Sequence, residues 1–200
     1  MVFLPFPLKL QATPPIGDTC SGHAAVALLL KVAFRRVAIG DAVGHGDAKV
    51  HNNRTVDGGV FGTDVHTPVS IADWVMLDMA GVAGTRINRK KAGRLGVVEV
   101  IGTAQFDYES AISTLCENGC SDKGDDEFID MQLAAGHGLL RRFQPLHAAL
   151  TDELLEKGQL TYLECLQLFE SLERNGGRIA SSKSPLKQVI DHRVLQARRT

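Results

Sequence analysis

Cys20 and His23 are the first residues of this chain whose types and spacing could do chemistry. Three apart on a helix, they sit on neighbouring faces about 60° apart, so a thiolate and an imidazole could share a metal ion with a carboxylate. A cysteine nucleophile is the rival reading, because a helix start and a nearby imidazolium both lower a thiol's pKa. His45, His51 and His66 lie in a glycine-rich stretch and read as solvated loop histidines or as replacement ligands. Cys116 and Cys120 have the wrong interval for a zinc knuckle and read as ordinary thiols. His137 and His147 fall within helical stretches and read as isolated. No G-x-x-x-x-G-K-[ST] run and no G-x-G-x-x-G opening a helix after a strand is present, so no nucleotide site is expected. No G-x-S-x-G elbow sets a serine on a strained turn.

The elements that would position these residues follow from periodicity and punctuation. Four of the seven prolines fall in residues 1–17, which reads as an extended lead-in. From Asp18 or Thr19 as the cap, an Ala/Leu-rich stretch predicts a largely buried helix carrying Cys20 and His23. Arg35–Ile39 is a short strand, and 40–68 a long loop or irregular hairpin. The spacing of Ile71, Trp74, Val75, Leu77, Met79 and Ala80 predicts a helix over 69–83 with Trp74 in the core, where Gly81 and Gly84 let another element pack closely. Val97–Ile101 is β-branched and reads as a strand ending at Gly102; a helix follows from Asp107 to Cys116. Three more helices are expected over 126–142, 145–157 and 161–173, the last opened by a capping box from Thr161 and Glu164. The fold class is therefore mainly α (α+β), helical with a small strand component. Residues 18–173 form the domain and 174–200 a basic C-terminal tail.

The segment Thr19-Cys-Ser-Gly-His23-Ala resembles the H-E-A-G-H-A helix of FtsH-type ATP-dependent zinc metalloproteases. The similarity continues in order: the Arg36–Ile39 strand, an A-G-x-A helix at Ala80–Ala83, a G-A-S-x-D-like turn at Gly102–Asp107 followed by Ala111, and a closing helix pair over Leu146–Glu164. It covers about 155 residues, from 18 to 173. The resemblance implies a zinc-metalloprotease-like fold, with His23 and Asp107 as zinc ligands whose side chains approach within about 6 Å. Thr19 stands where the family has its first histidine, and Cys20 at the position of the general-base glutamate. The implied protein is thus a degenerate pseudopeptidase that binds a peptide or protein, with an active zinc enzyme using Cys20 as substitute ligand as the alternative.

Charge and composition bound the remaining classes. Lys plus Arg is 22 against 23 for Asp plus Glu, a net charge of -1, which removes the bulk argument for nucleic acid or a membrane surface. Residues 175–200 carry six basic side chains against Asp191 alone, so a helical interaction domain whose tail docks acidic partners is a third reading. The longest wholly apolar run, Ala24–Leu30, is far short of the roughly 20 residues that span a bilayer. The start lacks the basic n-region of a secretory signal, and the cysteines show no C-x2-C spacing, so reduced thiols in a cytoplasm are expected.

Overall fold

The computed structural model describes residues 14–43, 58–64, 66–88, 95–120 and 125–174. The first helix, α1 (Pro14–Leu30), begins earlier than its sequence suggests. Proline is at ease in a first turn, where its missing N–H has no intrahelical partner to lose. Asp18 and Thr19 are consequently buried inside the helix, not caps at its start. The expected lead-in otherwise lies outside the described residues, as does the basic tail beyond Arg174.

α1 runs through the centre of the molecule. Ala24, Ala25, Val26 and Ala27 are completely buried, the condition under which a helix can be apolar on every side. Its C-terminus closes in a Schellman motif, with Lys31 at φ 60° and the Val32 N–H returning to the Ala27 carbonyl at 2.8 Å. Next come β1 (Arg36–Ile39), the expected short strand, and β2 (Gly58–Phe61), within the stretch expected as a long loop or irregular hairpin; the two pair antiparallel. A third strand, β3 (Gln159–Thr161), lies antiparallel on the other side of β1, giving the order β2-β1-β3. The sequence reading missed β3: three residues between two helices show no periodicity, and only the pairing of buried Leu160 with Val37 makes them a strand.

The stretch expected as one helix over 69–83 is two. α2 (Ile71–Asp78) opens with a capping box between Ser70 and Asp73, and α3 (Ala80–Asn88) restarts after Met79. Trp74 is half-buried against the core, as its spacing suggested. The strand expected at Val97–Ile101 and the turn expected at Gly102–Asp107 are both incorrect: they belong to one long helix, α4 (Leu95–Glu117). A short apolar run is ambiguous between strand and buried helix, and here the helical phase of 104–117 extends back through it. The last three helices, α5 (Asp125–Arg142), α6 (Gln144–Lys157) and α7 (Tyr162–Arg174), match their expected positions within about two residues. Left-handed Gly158 (φ 76°) ends α6, and the Thr161–Glu164 capping box starts α7. The molecule is mainly helical with a small antiparallel sheet, and among the described residues no helix is long and apolar enough to cross a membrane.

Candidate functional site

Thr19 and His23 are four apart on α1 and share its face toward α3. Asp107 reaches the same point from α4, and His23 Nε2 lies 3.6 Å from Asp107 Oδ1. The backbone of Gly81, second residue of α3, fills the space between them: a Cβ there would collide with His23 Cε1, Asp107 Oδ2 and Thr19 Cγ2. The absence of a side chain at Gly81 is what allows the three residues to converge on α3.

The break between α2 and α3 explains the arrangement. An unbroken helix would bond the Val82 N–H to the Asp78 carbonyl. Here the Val82 N–H donates to Asp107 Oδ2 at 2.9 Å, and His23 Nε2 faces the Asp78 carbonyl at 3.1 Å. The two side chains thus satisfy the two groups that the break exposes. His23 Nδ1 faces the Thr19 carbonyl at 3.0 Å. Each ring nitrogen of His23 therefore faces a backbone carbonyl of a different helix. The Asp107 carboxyl is pushed up to about 6, chiefly by burial, against the opposing pull of His23 and the Val82 N–H; the charge of Asp78 adds to the rise. The Asp78 carboxylate is itself held by α4, accepting from Ser110 at 2.8 Å and Thr114 at 2.7 Å.

The flanking positions complete the picture. Thr85 donates its hydroxyl to the Gly81 carbonyl at 2.9 Å, so the 2.9 Å contact between Thr19 Oγ1 and Thr85 Oγ1 is donated by Thr19. Cys20 sits in the second turn of α1, not at its start, and only 2% of it is exposed. Its sulfur packs against β2, 2.7 Å from where a Cβ at Gly58 would stand. Burial, reinforced by the charge of Asp107, pushes the Cys20 thiol far above its ordinary range, which removes the expected activation as a nucleophile.

These donors do not fit a zinc ion. Ligand atoms at about 2 Å from a tetrahedral metal are about 3.3 Å apart, so the His23–Asp107 separation alone would serve. However, Nε2 already faces the Asp78 carbonyl, Thr19 supplies a hydroxyl engaged with Thr85, and Cys20 faces β2. Among the described residues no group of three or more His, Cys, Asp and Glu is placed to hold a metal.

The other singled-out residues that the structure describes lie apart from this point. His45 and His51 lie outside the described residues; exposed His66 donates its backbone N–H to Asp64 Oδ1 at 3.0 Å. Cys116, in the last turn of α4, and Cys120, just beyond it, are exposed, and His137 is half-buried on α5. His147 is not isolated: it is fully buried, with Nε2 donating to the Asp18 carbonyl at 3.1 Å. Sequence reasoning named Gly81 as a close-packing position but gave no sign of Asp78 or Thr85, since a helix break and a hydroxyl pair leave no fixed spacing. Compared with models of protein families and with curated proteins, the sequence matches none.

Proposed function

We propose that the chain is an FtsH-type peptidase-like domain whose centre has been converted from chemistry to structure, and that it binds extended peptide or protein segments without cleaving them. The observation that supports this reading is that His23 and Asp107 meet, in the juxtaposition the resemblance implies, while their polar atoms are engaged by the α2–α3 break. A hydrolytic zinc site needs three protein ligands, an open position and a base, and neither Thr19 nor Cys20 supplies what is missing. Docking has a natural place in β2, which among the described residues is an edge strand of the sheet and packs directly on Cys20, because an extended segment can add to such an edge through main-chain hydrogen bonds.

The test is a fluorescently labelled unfolded casein, followed for binding by anisotropy and for cleavage by fragment release, with added zinc and with a chelator. Binding without cleavage in every condition is expected. Chelator-sensitive cleavage overturns the proposal in favour of an active enzyme. Binding lost on deleting residues 175–200 and abolished by salt points instead to a tail-driven interaction domain.

A further inference from the structure

A second polar cluster lies on the far side of α1 from His23, between α1 and α6. Ser21 Oγ and Thr151 Oγ1 are 2.6 Å apart, and Thr151 also donates to the His147 carbonyl at 2.9 Å. Thr151 Oγ1 approaches Asp18 Oδ1 at 3.4 Å, and His147 Nε2 contacts the Asp18 carbonyl at 3.1 Å. All four side chains are buried. The seam is tight from a third direction, because a Cβ at Gly84 of α3 would come within 3.0 Å of His147 Nε2.

The hydrogen bond fixes the tautomer of His147. The Asp18 carbonyl can only accept, so Nε2 carries the hydrogen and Nδ1 a lone pair. That Nδ1 is buried and, among the described residues, has no hydrogen-bond partner. An unpaired acceptor in the interior is tolerable, but protonating it creates a charge and a new N–H in a place with no acceptor. Among the described residues the charged group acting on the ring is Asp18 from α1, whose attraction opposes but does not outweigh burial; α3 brings Gly84 against it. Burial accordingly holds the His147 imidazole below its ordinary value.

We propose that the His147–Asp18 seam is an acid-sensitive latch: protonation of His147 at Nδ1 loosens α6 from the N-terminal half of α1, the part that carries Thr19 and Cys20. The sign follows from linkage. A base held neutral by the fold lets the unfolded or opened chain take up the proton more readily, so stability is full above about pH 6.5 and is lost as the pH falls below it. The opening is local in the first instance, because α1 keeps its contacts with α3 and the sheet. The inference is independent of whether the domain is peptidase-like.

The experiment compares thermal midpoints of the full chain and of His147→Gln between pH 7.5 and 5.5. Glutamine keeps an N–H for the Asp18 carbonyl and cannot be protonated in this range. The wild-type Tm should fall by about 4 °C or more beyond the fall in His147→Gln, on the scale of one tenfold change in the folding equilibrium for a chain of this size. Parallel curves overturn the proposal. Should the variant not fold, imidazole nitrogen NMR and amide exchange on the wild-type protein decide the same question. The expected result is a neutral Nε2–H tautomer at pH 7.5, a midpoint below 6.5, and loss of protection at residues 18–22 tracking that midpoint. A midpoint at or above 6.5, or protonation without loss of protection, overturns it.

Discussion

His23 and Asp107 stand in for one backbone hydrogen bond, and that role constrains every change made around them. Gly81 is the least replaceable residue of the group: in Gly81→Ala the new methyl must displace both side chains, with an expected loss of about 3 kcal/mol in chemical denaturation. Thr19→His is the informative gain, because the new imidazole would occupy the same face, one turn from His23 and beside Asp107. Zinc should raise the Tm of Thr19→His and a chelator reverse the effect, while the wild-type Tm is unmoved by either. A zinc-dependent rise in the wild type would show that the hydrogen bonds around His23 yield to metal. The thiols report burial directly. Cys20 and Cys165 are buried with thiols shifted upward by desolvation, Cys165 to about 12, whereas Cys116 and Cys120 are exposed. A disulfide reagent at pH 8 should therefore titrate two thiols rapidly in the native protein and four after denaturation; a third rapid thiol would contradict the burial of Cys20 or of Cys165.

At the scale of elements, the helix ends hold most of what can be tuned. Lys31 adopts the left-handed conformation that a Schellman motif usually gives to glycine, so Lys31→Gly should stabilise the fold by about 0.5–1 kcal/mol, measured by urea denaturation. At the start of α7, the backbone N–H and hydroxyl of Thr161 both donate to Glu164 Oε2, at 2.8 and 2.7 Å, and hold its carboxyl below the usual range. Thr161→Ala should cost about 1 kcal/mol at neutral pH. A carboxyl depressed in the fold contributes stability above its unfolded value of about 4.3 and loses it as the pH falls through the folded value. The cost of Thr161→Ala should therefore shrink in acid, and a cost constant from pH 7 to 3 would remove the carboxylate from the account. This capping box was legible because both partners lie within four residues of chain. The failure at 97–101 has the opposite character: β-branched residues favour strands only when a sheet receives them, and the chain there continues a helix instead.

At the scale of the whole molecule, α1 packs on α3, α6 and the sheet, while α2 to α5 close on one another, and all of these share one continuous core. Unfolding should be a single cooperative transition, with Trp74 fluorescence on α2 and far-UV circular dichroism giving the same midpoint; separated midpoints would mean that α2 unfolds as its own unit. The sequence alone determined the helical class, the buried character of α1, the positions of α5 to α7 and the close approach at Gly81 and Gly84, because each rests on periodicity or punctuation within a few residues. It also singled out His23 and Asp107, which the structure brings together. Only the tertiary structure decided what that pair does. The α2–α3 break, the Thr19–Thr85 hydroxyl pair and the orphan Nδ1 of His147 each join residues at least 25 apart or concern a bond that is not made. Hydrogen-bond direction and burial belong to the packed interior, and they set whether a histidine offers a lone pair or a proton.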